Sequence, residues 1–145
     1  MTHDKLIYAG DITPEDTWQR LRDDPHAVLI DVRTPEEWAY VGIVDMTEVK
    51  REAFFVPWLH FPRMNPNLNF VAEVLDATKV ENKDTPLLFI CRSGHRSAYG
   101  ADALTKMGHT QCYNVAYGFE GDQDDRKHRG TVNGWKFAGL PWIQG

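Results

Sequence analysis

An α/β fold built on a mostly parallel sheet is what the sequence predicts, and three observations predict it. Two short runs, AVLI at 27–30 and PLLFIC at 86–91, are almost wholly apolar, as strands covered on both faces are. Two Thr-Pro pairs, at 13–14 and 34–35, mark helix starts. Strand-like and helix-like patterns alternate along the chain without internal repeats, the order that packs helices on both faces of a parallel sheet.

The elements follow in order. KLIYAG (5–10) reads as a first short strand. Thr13 and Pro14 open a helix on which Trp18 and Leu21, three apart, share a face, and Pro25 lies beyond its end. AVLIDVR (27–33) is a buried strand. Thr34 and Pro35, with Glu37 three positions after the threonine, carry a capping-box pattern and open a short second helix. The middle of the chain holds an extra strand near AFFVPW (53–58), then a loop, then a helix from about Asn69 to Lys79. PLLFIC is the second apolar strand, SAYGADALTKMG (97–108) a helix closed by Gly108, and QCYNV (111–115) a last strand. The chain of 145 residues has the size of one domain, 1–145, with 116–145 a glycine- and aromatic-rich extension packing on it.

Composition excludes several function classes. A formal net charge of -5 argues against general affinity for nucleic acid or anionic membranes. No apolar run approaches the roughly 18 residues of a membrane helix, and MTHDKLIYAG (1–10) is too polar for a signal peptide, so a cytoplasmic protein is expected. Two cysteines make no disulfide framework, and Cys91 and Cys112 lack the spacing of a zinc site.

In sheets of this kind ligands gather where strands run into helix N-termini. CRSGHR (91–96) sits at such a junction. Four residues separate Cys91 from Arg96, enough for backbone amides to turn inward around an anion, with Gly94 permitting the turn. Those amides, with Arg92 and Arg96, favour a thiolate over a thiol. The competing reading makes Cys91 only the last small hydrophobe of its strand. Packing, however, does not explain two arginines, a glycine and a histidine following at once.

From LIDVRTPEEW through CRSGHRSA to GFEGDQDDRKHRGTVNGWKFAGLPW, the chain resembles the single-domain rhodanese-like sulfurtransferases. The resemblance implies the rhodanese-like α/β fold, with Cys91 as the nucleophile that carries a persulfide. It implies a cradle of Arg92, Ser93, Gly94, His95 and Arg96, with Asp31 and Arg33 on a supporting loop, and a chemistry that requires no metal or organic cofactor. The donor it implies is thiosulfate, another small sulfur-containing anion or a persulfide; the acceptor is a thiol or cyanide, and a protein is a possible sulfur donor or acceptor. One departure stands out: the family's GHIPGA is replaced by VGIVDMTEVKREAF (41–54), which implies a changed pocket rim. The related phosphatases have a loop one residue longer, which suits a phosphoryl group, whereas the shorter loop suits one terminal sulfur. A regulatory, protein-binding module is the alternative, and a phosphatase or arsenate reductase a weaker one.

Several roles stay open. Asp31 either orients Arg96 or caps the turn before Pro35. Arg33 either attracts an anionic donor or pairs with Glu36 or Glu37. His95 is expected at the rim, since a stabilised thiolate needs no base. Cys112 is expected to face the core, with a resolving thiol as the alternative. Among the tail aromatics Trp135 is expected to wall the pocket, the alternative being that Trp135, Phe137 and Trp142 only seal apolar surface. DRKHR (125–129) reads as a solvated loop of mixed charge.

Overall fold

The computed structural model describes residues 5–145; residues 1–4, the start of the stretch read as too polar for a signal peptide, lie outside it. Five parallel strands form the central sheet. β1 (Gly10–Ile12) leads into α1 (Pro14–Asp23), whose N-cap Thr13 accepts a hydrogen bond from the Asp16 amide, as the Thr-Pro signal predicts. β2 (Val28–Asp31) is followed by α2 (Pro35–Tyr40). The segment after it holds β3 (Ile43–Val44), β4 (Phe54–Phe55), β5 (Leu59–His60) and β6 (Asn65–Pro66) before α3 (Phe70–Thr78). β7 (Leu87–Ile90), α4 (His95–Lys106), β8 (Cys112–Val115) and β9 (Trp142–Ile143) complete the order. The sheet runs β1-β8-β7-β2-β4.

Strand alternation sorts the apolar side chains onto two faces. Leu29, Leu88 and Ile90 pack with Trp18 and Leu21 of α1 and with Phe119 and Trp135 of the tail. Ile30, Leu87 and Phe89 face Phe70 and Val74 of α3 and Ala101 and Leu104 of α4. All four residues of β7 are therefore buried, the reason PLLFIC shows no polar face.

Three expectations are corrected here. KLIYAG is not the first strand: pairing with β8 begins at Gly10 and runs to Ile12, and only the Ala9 amide joins earlier, to the Cys112 carbonyl. The helix after the cysteine begins at His95, two residues before the predicted Ser97. Trp135 does not wall a pocket. Its indole is 0% exposed, edge-on to Trp18 at 5.9 Å, with Nε1 donating to the Pro141 carbonyl at 2.8 Å. A tryptophan with a buried donor needs such a partner, and the turn before β9 supplies it. Phe137 and Trp142, by contrast, are 55% and 38% exposed.

The tail also clamps the segment that departs from the resemblance. β9 pairs antiparallel with β3, and Lys136 Nζ donates to the Val41 carbonyl at 2.9 Å. Among the described residues no helix is long and apolar enough to cross a membrane. Truncation of Trp135 removes the largest fully buried side chain. Trp135→Ala is expected to lower the unfolding free energy by about 3–5 kcal/mol, read from chemical denaturation followed by circular dichroism.

Candidate active site

Cys91 follows β7 immediately, at the carboxyl end of a central strand, and is 1% exposed. The loop from Arg92 to Gly94 then turns back into α4. Gly94 has φ +102°, a left-handed conformation, and a Cβ there would lie 3.3 Å from the Tyr117 amide nitrogen, so a side chain would be both strained and crowded. The turn aims the Gly94 amide at Cys91 Sγ, with N···S 3.1 Å, and brings Ser97 Oγ to 3.1 Å from the same sulfur. The positive end of the 12-residue helix α4 thus faces the thiol.

A second strip of chain braces the loop from outside. The Phe119 amide donates to the Cys91 carbonyl at 2.8 Å, and the Glu120 amide to the Arg92 carbonyl at 2.9 Å. This close approach depends on Gly118, where a Cβ would collide with the Cys91 carbonyl oxygen. Arg92, with its carbonyl held this way, is exposed at the rim, as is His95; Ser93 is half-buried. His95 meets Tyr99 edge-on at 5.5 Å, and Tyr99 stacks on Trp58 at 6.0 Å. Trp58 comes from the 43–68 segment and is tied to the end of β2 by its amide, which donates to the Val32 carbonyl at 2.9 Å. Sequence reasoning missed Trp58 as a rim residue, although the aromatic cluster AFFVPW was the available signal.

The expected bond between Asp31 and Arg96 does not form. Asp31 is taken by Arg33: Nε donates to Oδ1 at 3.0 Å and Nη2 to Oδ2 at 2.7 Å, with both residues buried. Arg33 Nη2 also donates to the Gly42 carbonyl at 2.8 Å, and its guanidinium lies 4.4 Å from the centre of the Phe119 ring. Arg33 therefore neither meets an anion at the rim nor pairs with Glu36 or Glu37; it fastens the start of the 43–68 segment and the brace.

The partner of Arg96 is Glu37. Nη1 donates to Oε1 at 2.6 Å and Nη2 to Oε2 at 2.9 Å, a bidentate pair whose side chains are 11% and 10% exposed. Glu37 Oε1 also accepts from the Thr34 amide and hydroxyl, at 3.1 Å and 3.0 Å, closing the capping box of α2. Burial pushes the Glu37 carboxyl up, but the bonds and charge of Arg96, with Thr34 and Arg33, outweigh it and hold the group below the usual carboxylate range. Burial likewise opposes the charge on Arg96, and Glu37, Cys91 and Asp31 overcome that opposition.

Cys112 lies at the far end of the sheet from Cys91. It pairs with Leu87, four residues before Cys91. At the strand rise this places the two cysteines about 13 Å apart along the strand direction. Burial pushes the Cys112 thiol up to about 11, so it stays protonated, as a core cysteine does.

Comparison with known proteins agrees with this fold. The rhodanese-like domain family model matches residues 13–125. The chain is 37% identical over 117 residues to an uncharacterized protein, RP600, of Rickettsia prowazekii, covering 81% of this chain and 83% of that one. It is similar to the crystal structure of Rv0390 from M. tuberculosis, at 45% identity and TM-score 0.87, covering 96% of this chain and 100% of that one. The polysulfide-sulfur transferase homodimer of Wolinella succinogenes shares the fold at 22% identity and TM-score 0.57, covering 93% of this chain and 78% of that one. With a five-stranded parallel sheet, a cysteine loop at its carboxyl end and a family match over most of its length, the chain belongs to the rhodanese-like domain family.

Proposed function

We propose that this protein is a sulfurtransferase that carries a sulfane sulfur on Cys91, moving it from thiosulfate or a persulfide donor to a thiol or cyanide. The observation that carries the reading is the Cys91 sulfur under the Gly94 amide at the start of α4, with both terminal nitrogens of Arg96 committed to Glu37. The amide and the helix terminus favour negative charge at sulfur. In the first step the Cys91 thiolate attacks the outer sulfur of thiosulfate; an S–S bond forms, the old S–S bond breaks, and its electron pair leaves with sulfite. In the second, an acceptor thiolate or cyanide attacks the outer sulfur and the electron pair returns to Cys91 as thiolate, giving a new persulfide or thiocyanate. A protein donor or acceptor is compatible with the exposed rim of Arg92, His95 and Tyr99. The reading extends to a single domain, with 116–145 as an extension packed on it, in a cytoplasmic setting consistent with two free cysteines and an acidic chain.

A phosphatase reading finds no support in the guanidinium. Phosphoryl transfer needs donors placed around the equatorial oxygens, whereas Glu37 takes one N–H from each terminal nitrogen of Arg96 and fixes the guanidinium's orientation. Only four residues separate Cys91 from Arg96.

Intact-mass measurement after incubation with thiosulfate or a low-molecular-weight persulfide is expected to show one added sulfur, lost on treatment with cyanide. Cys91→Ser abolishes both the adduct and turnover, and Cys112→Ser keeps both; an adduct that survives in Cys91→Ser overturns the assignment, and absence of an adduct with every donor leaves a binding module instead. Glu37→Gln is expected to lower kcat about tenfold, the equivalent of 1.4 kcal/mol, because it loosens Arg96, whereas Arg92→Ala raises KM for thiosulfate and leaves kcat within about twofold. Steady-state kinetics on variants with native circular dichroism separate the two. Assayed side by side, thiosulfate with cyanide yields Cys91-dependent thiocyanate, and an aryl phosphate yields no Cys91-dependent phosphate.

A further inference from the structure

The Ser97 hydroxyl has one proton and two acceptors. Its Oγ lies 2.5 Å from Asn114 Oδ1 and 3.1 Å from Cys91 Sγ. The orientation of the Asn114 amide is set from its other end: Nδ2 donates to Asp11 Oδ1 at 3.0 Å and to the Gly94 carbonyl at 3.1 Å. Both of its hydrogens are used, so Oδ1 is the atom that faces Ser97. The sheet enforces this, since the parallel register of β1 and β8 sets Asp11 beside Asn114. Ser97 is 0% and Asn114 2% exposed, so neither turns to bulk water for a substitute partner.

We infer that Asn114 is a positioning residue that competes with Cys91 for the Ser97 proton and thereby sets how readily the resting cysteine becomes a thiolate. With Cys91 as a thiol, every group is satisfied: the S–H points to Ser97 Oγ, and the Ser97 O–H to Asn114. When Cys91 loses its proton to solvent, the Ser97 hydroxyl turns to the sulfur and Asn114 Oδ1 is left buried without a donor, a costly state. Once an outer sulfur is attached, the negative charge sits on that outer atom, Sγ becomes a weak acceptor, and the Ser97 proton returns to Asn114. Asn114 thus disfavours the bare thiolate relative to both the thiol and the loaded persulfide. The cycling consequence rests on the sulfurtransferase reading; the competition for one proton belongs to the resting loop and does not.

Other charged groups surround the loop: Arg92 on the loop itself, His95 and Arg96 on α4, Asp31 at the end of β2 with Arg33 just after it, Glu37 on α2, and Asp11 on β1, whose Oδ1 also accepts from the Tyr8 hydroxyl at 2.8 Å. Asn114→Val also strips Asp11 of the Nδ2 donor, but it does so with or without the Ser97 hydroxyl, so a double-mutant cycle between Ser97 and Asn114 isolates the shared proton.

The test follows iodoacetamide alkylation of the Cys91 peptide by mass spectrometry as a function of pH, in the unsubstituted protein, Asn114→Val, Ser97→Ala and the double variant. Asn114→Val keeps strand propensity and size and removes the acceptor; it is expected to move the midpoint of the profile down by about one pH unit, on the scale of one hydrogen bond. In the Ser97→Ala background, where only the lost Nδ2 bonds to Asp11 and Gly94 remain, the same substitution moves the midpoint by much less. An unchanged or raised midpoint in Asn114→Val, or an equal fall in the Ser97→Ala background, which would assign the effect to the lost bonds to Asp11 and the Gly94 carbonyl, overturns the proposal. Asn114→Ala serves in the same cycle if Asn114→Val lacks native circular dichroism. Failure of the unsubstituted protein to accept sulfur would refute the sulfurtransferase reading without altering the alkylation profile, so the two failures are distinguishable.

Discussion

Glu37 is the constraint on which the site depends. One carboxylate closes the N-terminus of its own helix through Thr34 and grips both terminal nitrogens of Arg96 from the start of α4. Two helix starts, one after each buried strand, are thereby locked to each other across the carboxyl edge of the sheet. Ion pairs this buried are weak sources of stability, because desolvation offsets their attraction, but removing one partner strands a charge. The pair works as a specification: with Arg96 held, α4 has one rotation about its axis, and the Gly94 amide has one direction. That direction is toward Cys91 Sγ.

The same logic governs the neighbouring pair. Asp31 and Arg33 sit two residues apart at the end of β2, close enough for a carboxylate and a guanidinium to find each other before anything remote does. Arg33 then spends its remaining reach on the Gly42 carbonyl and the Phe119 ring. Phe119 in turn belongs to the strip whose amides hold the carbonyls of Cys91 and Arg92. Anchoring passes from β2 to the tail to the cysteine loop through buried charge and backbone.

How much of this was legible follows from the range of each interaction. The helix starts at Thr13 and Thr34 are local, since a cap and its acceptor lie three residues apart, and both stand where the sequence puts them. The apolar strands and the extra strand near Phe54 were legible for the same reason, as was the cysteine loop at a strand end. Glu37 was visible only as a cap; its bond to Arg96 joins positions 59 apart, and nothing local distinguishes it from Asp31 as a partner. Trp135 was misread because an aromatic in a glycine-rich tail looks exposed until a cavity beside Trp18 receives it. Gly10–Ile12 displaced KLIYAG because strand boundaries are set by the neighbour's register, here β8.

Counting arginines overstates the positive charge offered to a ligand. Of Arg33, Arg92 and Arg96, two are held by carboxylates and turned away from solvent, and Arg92 is the exposed one. On a chain of net charge -5, that leaves the rim with little long-range pull on a small dianion. Stabilisation at sulfur then falls to short-range dipoles, the Gly94 amide and the end of α4, which act on a charge already in place. On the proposed sulfurtransferase reading, these dipoles serve a terminal sulfur anion already bound, and the rim does little to gather free anions. On that same reading, a donor that brings its own contacts to the Trp58, Tyr99 and His95 rim is better matched to it than one that relies on charge alone.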